Sequence, residues 1–414
     1  MEILISGASI AGPVLAYWLR RFGFNPTVVE RAPGLRKTGG HAVDLFKPAM
    51  EIVERMGLLP AVQGKSTGTD RMTMLRAGAR RGTEVDVERL MAAFSDRHVE
   101  IMRDDLSEIL VEATRGDVEY VYGDSIAGLR ERGDGVDVTF ERGAARRFDL
   151  VIGADGLHSN VRRLVFGEER QFATYIGAYL AVVTLPNYLG LANHAIMHGA
   201  PGRVAALYSA RHMPDARAVF LWRSPRELDV HHRDVPRQKE LLRAAFAGTG
   251  WEVPRIFAEL DRTPAFYFDA ITQLRMASWS RGRISLVGDA GYCPGPAVGG
   301  STSLATVGAY VLAGELARAG GDHTQAFGAY ERALTDYVHR SRAFALRTCR
   351  TLIPDSNAAL WVQSAAMSLL SHMPARLARA VTNLGRKGVR LHDEFVIEDY
   401  ARASTRGVAD ASAA

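Results

Sequence analysis

The first thirty residues, MEILISGASIAGPVLAYWLRRFGFNPTVVE, constrain the fold more than any other stretch. EILIS (2–6) is a short apolar run that stops at glycine, the pattern of a buried parallel strand. In PVLAYWLRRFG (13–23) the residues Val14, Leu15, Trp18, Leu19 and Phe22 fall at helical spacing. Pro13 fits a first helical turn, where its missing N–H costs nothing, and Gly23 fits a C-terminal stop. PTVVE (26–30) reads as a second strand closing on Glu30. Strand, tight turn, helix and strand in so short a span predict a parallel βαβ unit.

The turn GASIAG has glycine at the first and last positions of a dinucleotide-binding pattern and Ser9 at the middle one. Gly7 permits the sharp turn, and Gly12 lets helix and strand approach closely. The helix start offers free N–H groups and a partial positive charge to a pyrophosphate. Glu30 stands 18 residues after Gly12, where a carboxylate can accept from ribose hydroxyls. Ser9 adds only a small side chain, and its hydroxyl can donate to phosphate. The competing reading of this turn alone is a βα unit without a ligand, and the pattern does not choose between NAD and FAD.

Two more strand-to-helix crossings follow. In FDLVIGADGLHSNVRRLV (148–165) a strand meets the turn ADG, and a helix carrying Arg162 begins with Ser159 as N-cap. Asp155 is expected to order water or N–H groups near a pyrophosphate. In RISLVGDAGYCPGPAVGGSTSLATVGAYVLAGELA (283–317) a strand passes Gly288 and ends at Asp289, and a Gly/Pro loop runs to a helix near Ser301. Asp289 can accept from ribityl hydroxyls. The backbone N–H groups around Gly299, Gly300 and Ser301 suit the negative charge of a reduced flavin ring. Each motif alone also reads as a surface turn; three in this order argue for one nucleotide crevice.

Of 414 residues, 47% are hydrophobic and 23% charged, ordinary for a globular chain with one large or two medium cores. The net charge of +5 suits anionic small molecules, and no basic run interleaved with aromatics points to nucleic acid. Two cysteines, Cys293 and Cys349, fit a reducing, cytoplasmic compartment. AALWVQSAAMSLL (358–370) is too short to span a bilayer and reads as a buried or interface helix. No signal peptide and no metal site are read.

These motifs resemble the class A FAD-dependent aromatic hydroxylases of the para-hydroxybenzoate hydroxylase fold. GASIAG…E, GADGLHSNVR and GDAGYCPGPAVGG match that family's fingerprints in order over roughly residues 1–350. Within the family the chain looks closest to bacterial monooxygenases of polyketides and antibiotics, including tetracycline-inactivating enzymes. The resemblance implies an α/β fold: an FAD-binding Rossmann-like parallel-sheet domain, an inserted antiparallel-sheet substrate domain and C-terminal helices. Residues 1–70, 100–165 and 276–350 are expected in the first, 71–99 and 166–275 in the second. Residues 351–400 are expected as C-terminal helices and 401–414 as a disordered tail.

By the same resemblance Gly7, Ser9, Gly12, Glu30 and Arg31 bind the ADP half of FAD. Arg36 meets the nicotinamide cofactor, Asp44 touches the flavin side, and Arg103 reaches the phosphates and ribityl chain. The chain departs from the family at Gly291, Tyr292, Ser301 and Gly308, with Tyr292 in place of a common histidine expected to affect how the flavin ring swings. Cys293 is read as a small buried thiol rather than a flavin attachment point.

Residues 166–275 alternate apolar and polar. AYLAVVTLP, HAIMHGAP, RVAALYSA and ARAVFLWRSP read as strands of the inserted sheet. Tyr179, Met197, His198, Tyr208, Phe220 and Trp222 are candidates for an aromatic-lined pocket, with core packing as the alternative. Tyr267, Asp269 and Gln273 can border it. Two long amphipathic helices, 326–354 and 358–385, are expected to cover the back of the flavin domain or form a dimer interface. The implied activity is an FAD-dependent monooxygenase hydroxylating an aromatic or polyketide-like molecule with NADPH or NADH and O2 through a C4a-hydroperoxyflavin. It would act as a monomer or homodimer, and no catalytic side chain is assigned. The competing readings are a flavin oxidoreductase without oxygen insertion and a non-catalytic flavin- or polyketide-binding protein. The W-x-W-x-I-P segment of the halogenases is absent.

Overall fold

The computed structural model describes residues 1–35, 39–79, 81–298, 300–374, 377 and 391–400. Arg36, Gly299 and the tail 401–414 lie outside the described residues. Strand Glu2–Ser6 sits inside a six-stranded sheet, parallel to Asn25–Glu30 on one side and to Leu150–Gly153 on the other. Ile284–Leu286 lies parallel beyond Leu150–Gly153, and Glu119–Tyr122 beyond Asn25–Glu30. Only Ser280–Arg281, at the edge, runs antiparallel. Ile3, Leu4 and Ile5 are buried because helices or loops cover both faces. All three crossings leave from one sheet edge, since parallel strands share a carboxyl end.

Helix Ala11–Arg21 buries Val14, Leu15, Trp18 and Leu19, the stripe its spacing predicts. Gly23 follows at φ +88°, the left-handed conformation of a helix stop. The helix packs on Ser301–Arg318, with the Trp18 and Tyr310 rings edge-to-face at 4.8 Å. From Ser303 to Leu316 that second helix is buried all round, as a core helix must be. Asp289 opens a one-turn helix, Asp289–Tyr292, where the sequence had predicted loop.

A second, seven-stranded sheet runs in the order 266–274, 173–186, 215–223, 203–208, 194–200, 71–76 and 83–86. It is not wholly antiparallel: His194–Ala200 and Arg71–Arg76 pair parallel. Strand Arg71–Arg76 arrives by a long crossover, so no hairpin dictates its direction. The sheet has two covered faces. Tyr179, Phe220 and Trp222 pack under helices Val235–Ala245 and Val253–Glu259, through Leu242, Phe246 and Ile256. Leu180, Val182 and Ile271 point the other way, toward Val298, Ala345 and Cys349.

Helix His323–Leu352 lies against Ser301–Arg318. The next helix, Asn357–His372, does not cover the nucleotide side. Its Met367 and Leu370 pack on Met74, Val85 and Leu90 at the far end of the seven-stranded sheet. The stretch 375–385, except Leu377, lies outside the described residues. Residues 395–400 are not helical as expected. They cross helix Ser301–Arg318 as a strap, with the Tyr400 hydroxyl donating to Glu315 Oε1 at 2.7 Å.

Two departures from the family pattern explain each other. Tyr292 is buried in the core, its hydroxyl 2.9 Å from that of Tyr330. A Cβ on Gly308 would overlap the Tyr292 hydroxyl. Gly308→Ala should therefore lower the unfolding free energy by about 2 kcal/mol. Tyr292→Phe in the same chain should recover part of that loss, read as a positive coupling in denaturant unfolding.

Candidate functional site

The first turn is shaped by contacts that exclude side chains. Gly7 adopts φ +110°, and a Cβ there would stand 2.5 Å from the Ala154 carbonyl oxygen. A Cβ on Gly12 would overlap the Gly7 carbonyl oxygen. Helix Ala11–Arg21 has no side chain capping its first-turn N–H groups, so they remain available to an anion. Glu30 accepts from the Ala8 N–H and the Ala32 N–H, both at 2.9 Å. Ser9 is the centre of a small network. Arg103, at the start of helix Arg103–Glu112, donates from Nε and Nη2 to Ser9 Oγ at 3.3 and 3.1 Å. Ser107 donates to the Ser9 carbonyl at 3.0 Å.

The second turn meets the first, because the Cβ position of Gly7 is 3.0 Å from Asp155 Cα. The Asp155 carboxylate accepts from the Asn160 and Val161 N–H groups at 2.8 and 3.1 Å. Burial pushes its pKa up against those bonds. Ser159 caps the helix, accepting from the Arg162 N–H at 3.0 Å. Arg162 itself does not face the cleft. It is buried and donates to the carbonyls of Ala290, at 2.9 Å, and Leu157, at 2.6 Å. It thus ties the second crossing to the third.

The third crossing stands behind the other two. Gly288, at φ +67°, packs beside Ala11 and Ala305. Burial raises the Asp289 carboxyl, and burial and Asp289 together hold the Cys293 thiol well above its ordinary value. A fully buried, protonated thiol is unreactive. Gly300 takes the left-handed conformation and Ser301 begins the long helix. Ser303 Oγ donates to the Asp44 carbonyl at 3.0 Å and accepts from the Phe46 N–H at 2.9 Å, fixing strand Ala42–Phe46 against that helix.

A cleft of about 480 Å³ runs from Glu30 and Arg31 past Ser9, Arg103 and Asp155 to His41 and Tyr267. Gly7 also lines it. Gly12, Asp44, Gly288, Asp289, Gly300 and Ser301 are not among its lining residues. The Asp44 side chain instead pairs with His98 Nε2 at 2.7 Å. Of the six aromatic-pocket candidates, Tyr179, Phe220 and Trp222 lie on the sheet face turned away from the cleft. His198 stacks on Trp251 there. Period-2 alternation groups these residues on one face but does not say which face meets the cofactor side. Met197 and Tyr208 lie on the opposite face, and the Tyr208 hydroxyl accepts from the Ala42 N–H at 2.7 Å. Gln273 is scaffold, donating to the Pro294 and Arg342 carbonyls.

Sequence reasoning missed His41, His158 and Asp124 in the lining. His158 lay inside the second quoted motif without a role, and His41 between Arg36 and Asp44 was given none; Asp124 had no local signal. Burial and Arg103 lower His41 to about 4, which keeps it neutral. His158 is the reverse. Burial opposes its charge, but Asp269 and Glu169 outweigh it and raise the ring to about 9.

A family model described as "FAD binding domain" matches residues 1–350. An uncharacterized protein of Mycobacterium tuberculosis (strain H37Rv) is 45% identical over 82% of this chain and 91% of its own. A protein named flavin-dependent monooxygenase, from Legionella longbeachae, is 40% identical over 84% of this chain and 88% of its own. Among solved structures, tetracycline destructase Tet(51) is similar at TM-score 0.81 and 33% identity, covering 96% of this chain and 99% of that one.

The facing of the substrate sheet has a direct consequence. Phe220→Ala should cost about 3–5 kcal/mol of stability, as a core truncation does. Tyr267→Phe, at the cleft, should cost only about 1 kcal/mol. Equal losses in thermal or denaturant unfolding would contradict the assignment of faces.

Proposed function

The chain belongs to the FAD-binding family of flavin-dependent monooxygenases, and from that premise we propose that it hydroxylates a planar phenolic or polyketide-like small molecule. The observation that carries the reading is the pairing of a family match over residues 1–350 with a cleft whose first turn fits a dinucleotide. The fit rests on three features. Glycines leave a cradle that Cβ atoms would fill, the helix start has no side-chain cap, and Arg103 supplies a cation beside Ser9.

Bound FAD supplies the redox chemistry, taking reducing equivalents from NAD(P)H and passing one oxygen atom of O2 to the substrate. In this reading Arg103 and Ser9 hold the pyrophosphate at the uncapped helix start. Glu30 and Arg31 meet the adenosine ribose, and Asp155 orients the N–H groups of the second helix. Asp289, Gly288, Gly300 and Ser301 form the wall behind the ring system. Arg36 and Gly299, assigned to the nicotinamide and flavin sides, lie outside the described residues. The inner sheet face, with Met197, Tyr208 and Tyr267, covers the substrate. Tetracycline-like ring systems are the first compounds to try, because a tetracycline destructase resembles the chain over nearly its whole length. Both cysteines are free and buried, which fits a cytoplasmic enzyme. No helix among the described residues is long and apolar enough to cross a membrane.

The test is NADPH oxidation across phenols, quinones and tetracyclines under isotopically labelled dioxygen, with product mass. One labelled oxygen atom in the product is expected; oxidation that never labels a product would overturn the reading. Arg103→Ala should raise the FAD dissociation constant roughly ten- to a hundredfold, measured by flavin fluorescence on apo-protein. Arg103→Lys should restore part of that affinity, because the point charge remains but the fork is lost.

A further inference from the structure

Helix Asn357–His372 has a second face that the fold does not use. Its inner face is committed. Met367 and Leu370 pack on the far end of the seven-stranded sheet, and Leu360 sits so close that a Cβ on Gly199 would stand 2.7 Å from its Cδ2. Gln363 donates to the Thr351 carbonyl at 2.8 Å, and Ser356 caps the helix, accepting from the Ala359 N–H at 3.2 Å. The helix is therefore held in place, and its outer face is presented in one orientation. On that face Trp361, Val362 and Leu369 are 58%, 57% and 65% exposed. Ala358, Ala365 and Ala366 are exposed beside them. These six residues follow one another at helical spacing and form a single stripe. A surface helix ordinarily turns charged residues outward. Here no Asp, Glu, Lys or Arg occurs from Ser356 to Met373.

We propose that a second copy of this chain covers the stripe, helix against helix, across a twofold axis passing near Ala365. The shape of the stripe supports this. Trp361 and Leu369 stand about one turn to either side of Ala365, whose methyl leaves a hollow between them. A row of bulky, small and bulky residues at i±4 fits a reversed copy of itself. With the helices antiparallel, each Trp361 lies beside the other copy's Leu369, and the two alanines meet where the backbones come closest. The exposed parts of the six side chains amount to roughly 500 Å² per copy, so a pair buries about 1,000 Å², the lower bound of a specific interface. Charge selects the same occupant. The chain carries a net +5, so two copies repel where their basic surfaces meet, and the uncharged stripe lets them approach without that cost. An acidic or basic peptide finds no opposite charge there. A lipid surface attracts helices with cations on the flanks, which 356–373 lacks. Pairing also braces the helix over the sheet end that holds Met74, Val85 and Met197. Met197 reaches from there to the inner sheet face, so dimerisation and the stability of the substrate sheet are linked.

The test is sedimentation velocity on the full FAD-loaded chain across a concentration series reaching about 200 µM. A reversible monomer–dimer equilibrium with a micromolar dissociation constant is expected. Leu369→Arg should weaken the pairing roughly tenfold or more, with flavin content and circular dichroism unchanged. The thermal midpoint should rise with protein concentration in the native chain and stay flat in Leu369→Arg. Ala365→Cys, oxidised with copper phenanthroline, should give a disulfide-linked dimer, because its symmetry mate lies opposite. Cys293 and Cys349 are buried and add no background. Ala144→Cys, exposed between strands 135–140 and 146–148, should not cross-link. A chain that stays monomeric at the highest concentration overturns the proposal, whether its stripe is then covered by residues 378–390 of the same chain or binds phosphatidylcholine vesicles. A dimer that survives Leu369→Arg and is not captured by Ala365→Cys uses another surface, and overturns it as well. None of these readouts depends on oxygen insertion.

Discussion

The closeness of helix Ala11–Arg21 to the Gly7 carbonyl is the constraint on which the rest depends. No side chain fits between them, since a Cβ on Gly12 would overlap that oxygen. This contact sets where the helix begins and keeps its first N–H groups at the carboxyl edge of the sheet. Because the Gly7 turn also abuts Ala154 and Asp155, the second crossing is brought to the same place. Gly288 completes the arrangement against Ala11. Three segments distant in sequence thus converge through glycine contacts, and the cleft follows from their convergence.

Charge is then distributed along the cleft by a few pairings. Ser9 carries the Arg103 guanidinium, so the residue that departs from the glycine pattern also positions the cation. Glu30 accepts from the backbone of the turn it faces. At the other end His41 is held neutral and His158 charged, although both are histidines on the same wall. Burial, reinforced by Arg103, decides the first; at the second two carboxylates outweigh burial.

Much of this was legible in the sequence, for identifiable reasons. The strand–turn–helix crossings were readable because glycine spacing and apolar periodicity are local signals. Gly7, Ser9, Glu30 and Asp155 could be singled out without seeing the cleft that gathers them, and Arg103 only through the family resemblance. The substrate sheet was harder. Alternation placed Tyr179 opposite Leu180, but the side that meets the nucleotide unit depends on how helices Val235–Ala245 and Val253–Glu259 cover the other face. The parallel pairing of strand Arg71–Arg76 and the strap ending at Tyr400 depend on partners more than a hundred and about eighty residues away, respectively, and neither has a local signature. Tyr292 was expected to affect how the flavin ring swings, and the direction of Arg162 had no local signal; both turn inward to hold the third crossing in place.

The most direct measurement is a crystal structure of the protein with FAD. The account predicts continuous density from Glu30, past Ser9 and Arg103, to the wall formed by His41 and Tyr267. Density for the dinucleotide anywhere else, or a cleft that stays closed to it while the protein binds FAD, would contradict the account.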